Sequence, residues 1–309
     1  MSSPADMESQ NSCTIVIVSY HTGPVLWRCL DAALSDALVD TVVLVDNGND
    51  EATRRDMDRR SELEPKLKII RGQGNVGFSR ACNLGAEKAA SSHILLLNPD
   101  CVLSDGALER GLKVLGSAPN AMAATVRVEN EDGSEQQGAR RNLMTPLTVF
   151  VEQFKLYKLF PNNSVFKRVN LQGERLFEHP VPVECLSGSF VLMPLKAYRQ
   201  LEGMDEDYFL HMEDVDLCMR IRKAGGDILY IPNLAVTHVK GTSKVSSFWV
   251  EWLKTKSAML YFRKHFSSGV GVFLLPLICG MLVLRYGLYL IPWSFEAFKE
   301  RISGSRETA

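Results

Sequence analysis

The sequence lacks an excess of charge of either sign. Its 35 Lys and Arg residues are balanced by 36 Asp and Glu residues, which leaves a formal net charge of −1 over 309 residues. Proteins that bind nucleic acid present a strong basic field, so this balance argues against a nucleic-acid partner. The 46% share of hydrophobic residues excludes a disordered chain, and the length allows one large domain, or one domain with an appendage.

Paired cysteines and a secretion signal are also lacking. The seven cysteines are scattered, odd in number and contain no CxxC pair, which argues against a disulfide framework and against a zinc site. This usage fits a reducing cytosol. The first ten residues have no basic cluster followed by an apolar run, so we expect no secretory signal there, and we interpret residues 1–12 as a flexible tail.

What the sequence does contain is an alternation of short apolar, β-branched runs with helix-compatible stretches. The runs are "TIVIVS" (14–19), "TVVLVDN" (41–47), "LKIIRG" (67–72) and "HILLLNPD" (93–100). Such alternation predicts an α/β fold with a parallel sheet covered on both faces. Ligands of open α/β sheets gather at the carboxyl ends of the strands, where this sequence places Ser19, Asp46, Asn47, Asn98 and Asp100.

The stretch "GQGNVG" (72–77) admits two interpretations. It matches the GxGxxG pattern of dinucleotide-binding folds, and Asp100 follows 23 residues after its end. That pattern normally opens a fold, whereas here it follows two β–α units. The other interpretation is that the glycines let the backbone approach a nucleotide diphosphate, with Asn75, Arg80 and Asn83 as polar contacts; Asn83 fits a surface helix position equally well.

Residues 208–220, "YFLHMEDVDLCMR", concentrate carboxylates at the start of a predicted helix. Helical spacing places Asp214 on the apolar face formed with Leu217, Cys218 and Ile221, because residues three, four and seven apart share a face. A carboxylate that faces a core needs a partner or a function. Glu213 and Asp216 are expected on other faces as surface charges, with Asp216 paired to Arg220.

Two further residues are ambiguous by themselves. Asp100 in "LLLNPDC" ends a strand and suits Mg²⁺ or Mn²⁺, which prefer hard oxygen ligands, but it equally suits a loop cap. His238 in "AVTHVKGTS" fits a packed histidine as well as a metal ligand.

The chain changes character at Gly269. From there to Trp293 the only charged residue is Arg285, and basic residues flank the stretch on both sides. The uncharged part contains Pro276 and is shorter than the ~20 apolar residues of a spanning helix, so it predicts an interfacial or re-entrant membrane anchor, with a buried core or dimer helix as the alternative. Basic flanks suit the anionic cytoplasmic leaflet.

Seven sequence blocks, taken in order, resemble those of the family 2 glycosyltransferases of the GT-A fold, and specifically those of bacterial rhamnosyltransferases that act on lipid-linked sugars in O-antigen assembly. The resemblance covers residues 13–265. The blocks are "IVIVSYH" (15–21), "VLVDNG" (43–48), "GNVGFSRACNLG" (74–85), "LLLNPDC" (95–101), "CLSGSFVLM" (185–193), "GMDEDYFLHMEDVDLCMRIRKAG" (203–225) and "AVTHVKG" (235–241).

The resemblance implies a role for each candidate residue. Asp214 corresponds to the catalytic base of the acidic "ED" motif. Asp100 corresponds to the last acid of the DxD metal motif, and His238 to an additional metal ligand. The nucleotide-sugar donor would be bound by Ser19, Tyr20, Asp46, Asn47, Asn75, Gly77, Arg80, Asn83 and Asn98. Asn98 stands where the motif has its first acid, and an amide adds no charge, so metal affinity is expected to be weaker than in DxD relatives.

The resemblance also implies the organisation and the activity. We expect a GT-A domain over residues 13–266, with a nucleotide-binding half about 13–125 and an acceptor-binding half about 126–266. The membrane-associating tail over 267–309 lies outside the resemblance and is expected from composition alone. The expected reaction is inverting transfer of L-rhamnose from dTDP-rhamnose to a polyprenyl-diphosphate-linked sugar at the cytoplasmic face of the inner membrane, assisted by Mg²⁺ or Mn²⁺. Two other functions stay open: a nicotinamide-dependent oxidoreductase using the "GQGNVG" loop, and a non-catalytic membrane-associated binding protein.

Overall fold

The computed structural model describes residues 12–160, 163, 165–166, 168–173, 177–239, 245–269 and 271–304, the last fourteen of these by backbone only. Most of the predicted tail, residues 1–11, lies outside the described residues, as does the end of the last resemblance block, residues 240–241.

The chain forms two compact units. The larger comprises the residues up to Phe209 and those from Glu213 to 244, and the smaller comprises 210–212 and the residues from Val245 onward.

The larger unit is built on one sheet, to which the described residues contribute nine strands. The strands are β1 (Cys13–Ser19), β2 (Val39–Asp46), β3 (Leu67–Ile70), β4 (His93–Leu97), β5 (Cys101–Leu103), β6 (Ala121–Glu129), β7 (Val181–Pro182), β8 (Phe190–Pro194) and β9 (Asp227–His238). Their order across the sheet is β3-β2-β1-β4-β8-β6-β9-β5, with β7 paired to β9.

Helices connect these strands in the larger unit. They are α1 (Val25–Ser35), α2 (Glu51–Leu63), α3 (Phe78–Ala86), α4 (Ala107–Ser117), α5 (Pro146–Gln153), α6 (Leu156–Leu159), α7 (Leu195–Gln200) and α8 (Glu213–Lys223).

The sheet confirms the predicted α/β class and is mostly parallel. The first four strands pair in parallel, and β6 and β9 run in the same direction; β5, β7 and β8 run the opposite way. Strand β1 is buried along its whole length, and β2 is buried from Val42 to Asp46, as expected of strands that helices cover on both faces. "ILYIP" and "AVTHV" belong to the single strand β9, whose pairing with β6 shifts register between Val126 and Arg127.

The smaller unit contains α9 (Ser247–Phe266) and α10 (Gly271–Gly304). The two helices pack together through Trp252 and Tyr286, whose rings lie 5.5 Å apart, and through an ion pair of 3.2 Å between Glu251 and Arg285. Helix α9 groups with α10 in this unit, and the domain boundary at residue 266 stays a prediction.

The apolar stretch of α10 is longer than the sequence suggested. The helix continues through Pro276 and through Arg285, which forms an ion pair with Glu251. Residues Gly271–Leu290 are long and apolar enough to cross a membrane, and few of them are buried within the protein. A buried core helix is therefore not what the structure contains.

Candidate active site

The ends of β1 and β2 are joined by a buried polar network. Asp46 Oδ1 accepts hydrogen bonds from the backbone N–H groups of Gly48 and Asn49, at 3.1 and 2.8 Å, and its Oδ2 accepts one from Arg54 Nε at 2.9 Å. Asn49 Oδ1 in turn accepts a bond of 3.2 Å from Ser19 Oγ. Burial alone would raise the pKa of Asp46, but the bonds from Asn49, Gly48 and Arg54 hold it below its usual range. Ser19 and Asp46 thus shape this edge of the predicted donor pocket, and Asn49, which the sequence analysis did not select, is central to it.

Tyr20 and Asn47 lie beside this network. A Cβ at Gly48 would come within 3.0 Å of the Tyr20 ring, so the ring packs directly on that glycine. Asn47 Oδ1 accepts from the backbone N–H of Val76 at 3.1 Å, and its Nδ2 donates to Asn75 Oδ1 at 3.0 Å. Asn47 and Asn75 are therefore brought together, as the donor-site prediction requires.

The "GQGNVG" loop packs against the segment that precedes α8. Its three glycines all have positive φ, and a Cβ at Gly77 would lie 2.6 Å from the carbonyl oxygen of Phe209. That carbonyl also accepts a hydrogen bond of 2.7 Å from the backbone N–H of Phe78, the first residue of α3. Gly77 is needed for this close approach, which links the predicted diphosphate loop to the start of the acidic helix.

Arg80 and Asn83 contact the chain after α7. Arg80 is about half exposed and lies 3.7 Å from Glu206. Asn83 is engaged at both ends of its amide: Oδ1 accepts from Tyr198 and from the Met204 N–H, and Nδ2 donates to the Met204 carbonyl and to Glu206. The amide of Asn83 anchors this loop, and its role in donor binding stays a prediction.

Strand pairing brings Asp100 and His238 together. Strand β5 pairs with β9 so that Cys101 lies opposite His238, and the backbone N–H of Val239 donates to the Asp100 carbonyl at 3.0 Å. His238 Nε2 consequently lies 3.0 Å from Asp100 Oδ1. The thiol of Cys101 is near both groups, and burial raises its pKa well above the usual range.

The hydrogen bonds of Gln136 orient the imidazole of His238. Gln136 Nε2 donates to Asn130 Oδ1 at 3.1 Å and to the His238 carbonyl at 3.2 Å, which leaves Oε1 to accept from His238 Nδ1 at 2.6 Å. With a proton on Nδ1 donated to Gln136, the imidazole presents Nε2 to Asp100 Oδ1. Metal-binding histidines are commonly held this way, by a hydrogen bond from the other ring nitrogen.

A turn at residues 187–189 connects this pair with the acidic helix. Ser189 Oγ lies 3.4 Å from His238 Nδ1, and the Ser189 carbonyl accepts a hydrogen bond of 3.1 Å from the backbone N–H of Asn98. One residue earlier, the N–H of Gly188 donates to Asp214 Oδ2 at 3.1 Å. Asn98, Asp100, His238 and Asp214 therefore belong to one connected site at the carboxyl edge of the sheet.

Asp214 is buried and paired with a residue that the sequence analysis missed. Its Oδ2 accepts from Arg141 Nη2, and its Oδ1 accepts from the Val215 N–H at 2.8 Å. Burial by itself would raise the pKa of Asp214, but the Arg141 charge and hydrogen bond, with those from Gly188 and Val215, hold it below its usual range. The carboxylate is therefore ionised at neutral pH.

Arg141 is held in place by the chain that surrounds the site. It forms an isolated β-bridge with Cys185, and its Nη2 donates to the Leu186 carbonyl at 2.8 Å. In the sequence it lies in the loosely patterned stretch "ENEDGSEQQGARR", where neither periodicity nor a motif distinguishes it from neighbouring basic residues.

The other two carboxylates of α8 are not surface charges. Asp216 is completely buried and pairs with Arg220 at 2.6 Å, which confirms the pairing but not the expected exposure. Glu213 is also buried, and among the described residues its Oε2 has no hydrogen-bond partner. Burial, with the nearby Asp214 charge, raises the pKa of Glu213 well above its usual range, so this side chain is a neutral acid beside an ionised one. The expected exposure of these two carboxylates was wrong because the position of a residue on a helix predicts its burial only if the elements packed against that face are known.

These features together define a class. A mostly parallel α/β sheet carries a polar network at the ends of its first strands, and an Asp–His pair and a buried carboxylate lie at the same edge. This arrangement is that of the GT-A glycosyltransferases.

Comparisons with known proteins agree with this class. The family described as "Glycosyltransferase like family 2" matches residues 10–258. N-acetylglucosaminyl-diphospho-decaprenol L-rhamnosyltransferase of Mycobacterium tuberculosis is 31% identical over 241 residues, covering 74% of this chain and 76% of that protein. Rhamnosyltransferase WbbL of Escherichia coli is 27% identical over 150 residues, 48% of this chain and 53% of its own length.

Among solved structures, the mannosyltransferase PcManGT of Pyrobaculum calidifontis, in complex with GDP-Man and Mn²⁺, has a TM-score of 0.56 at 14% identity over 93% of this chain and 80% of that one. That likeness concerns the fold. The chain belongs to glycosyltransferase family 2 and is a rhamnosyltransferase-like glycosyltransferase.

Proposed function

We propose that the protein transfers a deoxyhexose, L-rhamnose from dTDP-rhamnose, with inversion onto a sugar such as GlcNAc linked to a polyprenyl diphosphate. The main support is the mycobacterial relative, whose name specifies L-rhamnose and a diphospho-decaprenol acceptor and which aligns over three quarters of both chains. The assignment of dTDP as the donor nucleotide rests on the resemblance of the seven sequence blocks to the family.

Asp214 is the proposed general base. As the acceptor hydroxyl attacks the anomeric carbon, Asp214 takes its proton; the new C–O bond forms while the bond to the nucleotide diphosphate breaks, so a single displacement inverts the anomeric centre. Arg141 and the Gly188 N–H fix the carboxylate and keep it ionised. Because the acceptor itself is the nucleophile, no cysteine takes part.

The donor is proposed to lie across the ends of β1, β2 and β3. Tyr20 and Asn47 would border the base and ribose, and the backbone from Asn75 to Gly77 would border the diphosphate. In support, the side chain of Asn47 bonds both Asn75 and the Gly77 carbonyl, so one residue links the two regions.

Asp100 and His238 are the proposed holders of Mg²⁺ or Mn²⁺. Their ligand atoms are 3.0 Å apart, and the imidazole is oriented by Gln136, a donor set and support that fit such an ion. The ion would neutralise charge on the departing diphosphate. Asn98 contributes no charge, so we expect weak metal affinity in the absence of nucleotide.

Helix α10 is proposed to attach the protein to the cytoplasmic face of the inner membrane, where a polyprenyl-linked acceptor resides. Truncation after Phe266 removes α10, and it should strongly reduce vesicle binding in a flotation assay while nucleotide binding persists. It should also slow transfer to a polyprenyl acceptor more than transfer to a short-chain soluble analogue, because the local acceptor concentration is lost. If the truncated protein loses nucleotide binding, α10 belongs to the folding core and this attachment is refuted.

A thermal-shift panel tests the donor assignment. Full-length protein is heated with dTDP-, UDP- and GDP-sugars and with NADH, each with and without Mn²⁺, since ligands that bind the native state raise its apparent stability. We expect the largest shift with dTDP-rhamnose and Mn²⁺. A shift with NADH alone would support the oxidoreductase alternative, and no shift with any nucleotide would support the non-catalytic one.

A further inference from the structure

Helices α5 and α6 expose an apolar surface that the proposed chemistry does not explain. On α5, Thr148 and Val151 are buried against the protein, while Leu147, Phe150 and the C-cap residue Phe154 are 46%, 40% and 55% exposed. The exposed residues are three, four and seven positions apart and share a helix face. Helix α5 is therefore apolar on two sides and covered on only one.

Exposed apolar residues recur along the chain in α6 and after it. Leu159 is 70% exposed, Phe160 is half exposed, and Val165 is also exposed. The rings of Phe150 and Phe154 lie 4.7 Å apart, and those of Phe160 and Phe166 lie 5.1 Å apart. We call the exposed side chains of Leu147, Phe150, Phe154, Leu159, Phe160 and Val165 the aromatic face. Clustered exposure of this kind marks an interaction surface, in contrast to apolar residues that are exposed singly.

Basic side chains border the aromatic face. Among the described residues from Thr145 to Arg168 there is one acid, Glu152, and there are three basic residues, Lys155, Lys158 and Arg168. Glu152 is turned inward, where its Oε2 accepts the backbone N–H of Val169 at 3.0 Å. Both Lys155 and Lys158 are exposed. The surface is thus locally cationic in a chain whose overall charge is −1.

The combination of apolar and basic side chains in this surface favours a lipid bilayer over a protein as its partner. The cores of protein–protein interfaces are depleted in lysine, whereas an amphipathic element that lies in a bilayer interface combines aromatic and leucine side chains with lysine and arginine that meet anionic headgroups. Arg168 stacks on Tyr157, with its guanidinium carbon 4.9 Å from the ring centroid, a pairing of basic and amphipathic aromatic groups suited to headgroup depth.

We propose that the aromatic face inserts into the headgroup region of an anionic phospholipid bilayer, as a membrane contact separate from α10. The surface is continuous with the active site: the backbone N–H of Asn142, next to Arg141, donates to the Val169 carbonyl at 2.8 Å, and the Asn142 amide donates to the Arg168 carbonyl at 2.7 Å. Insertion would therefore bring the bilayer surface to the segment that pairs with Asp214. The inference needs neither the donor nor the acceptor to be as proposed above.

The test measures the depth of an environment-sensitive label on full-length protein reconstituted in vesicles of phosphatidylcholine and phosphatidylglycerol. Of the native cysteines only Cys279 is not buried, so a Cys279→Ser background is used. A nitrobenzoxadiazole label is attached at Phe154→Cys, and the matched control carries it at Leu63→Cys, an exposed apolar position on α2. Quenchers are spin-labelled lipid within the bilayer and iodide in the water.

We expect the label at residue 154 to lose fluorescence with spin-labelled lipid and to resist iodide, and the label at residue 63 to do the reverse. Replacing Lys155 and Lys158 by Glu should reduce the lipid quenching at 154, whereas Lys68→Glu with Lys113→Glu, exposed positions on β3 and α4, should not. A label at 154 that iodide reaches as readily as the label at 63 overturns the proposal. Protection from iodide without lipid quenching also overturns it, because a protein or a second copy then covers the face.

Discussion

Replacing Arg141 by methionine isolates what the buried ion pair does for Asp214. Methionine keeps the apolar part of the side chain and removes the charge, which leaves the Asp214 carboxylate buried with only backbone donors. Removing one partner of a buried pair typically costs about 3–5 kcal/mol of stability. For a unit of this size that corresponds to a fall in Tm on the order of 10 °C.

The more informative effect is on the pH dependence. In the native protein the pKa of Asp214 lies below its usual range, so its ionisation contributes stability above the ordinary carboxyl pKa, and that stability is lost as the pH falls through the folded value. Without Arg141 the burial effect dominates and raises that pKa. The acidic limb of the profile of kcat/KM against pH should therefore move to higher pH, since the base must be ionised to accept a proton.

Arg140→Met is the matched control. Arg140 is adjacent in the chain and forms an ion pair of 2.5 Å with Glu135, in which both side chains are at most 10% exposed. Its replacement should lower stability similarly and leave the acidic limb in place. The assay is transfer to a soluble acceptor analogue from pH 4 to 9, with thermal unfolding of each variant measured alongside. Identical acidic limbs for the two variants would refute the assignment of Asp214 as the base tuned by Arg141.

Three further predictions concern the neighbouring groups. Asp214→Asn should retain the fold and donor binding but lose on the order of 10²–10⁴ in rate, and turnover close to the wild type would remove Asp214 from the mechanism. Asp100→Ala and His238→Ala should each weaken nucleotide binding in Mn²⁺ but not in chelator, as measured by calorimetry; an intact metal effect in His238→Ala would mean that the histidine is not a ligand. Because the pKa of Glu213 is raised in the folded protein, native stability should fall as the pH rises from the ordinary carboxyl value toward the raised one, and Glu213→Gln should flatten that slope in chemical denaturation; an unchanged slope contradicts a protonated Glu213.

The first half of the fold was predictable from sequence because its signals are local. Each of β1 to β4 is a continuous apolar run, and polar residues mark the carboxyl ends of β1, β2 and β4, so the edge that holds the pocket could be located. The orientation of Asp214 toward the core also followed from helical spacing alone. The register of β5 with β9, which places Asp100 beside His238, carries no local signal, and only the resemblance paired those residues.

Other features depended on contacts between distant segments. Arg141 approaches Asp214 because residues 140–142 bridge to the segments around 170 and 185, and such pairing leaves no pattern in a loosely ordered stretch. The burial of Glu213 and Asp216 similarly depends on what packs against the faces of α8. The length of the apolar stretch was underestimated because the sequence analysis ended it at Arg285, whereas one helix runs through that residue and stays apolar on average from Gly271 to Leu290.

The sheet order has a consequence for how the protein is made. Strand β8, residues 190–194, lies between β4 and β6, although both of those precede it in the chain. When residues 1–130 have emerged from the ribosome, β4 and β6 therefore each have an unpaired edge. Strand β8, which pairs with both, has not yet been translated. Long-range pairings of this kind form slowly, and exposed edges invite association with other chains. During synthesis the growing chain should consequently depend on chaperones until about residue 240 has left the exit tunnel.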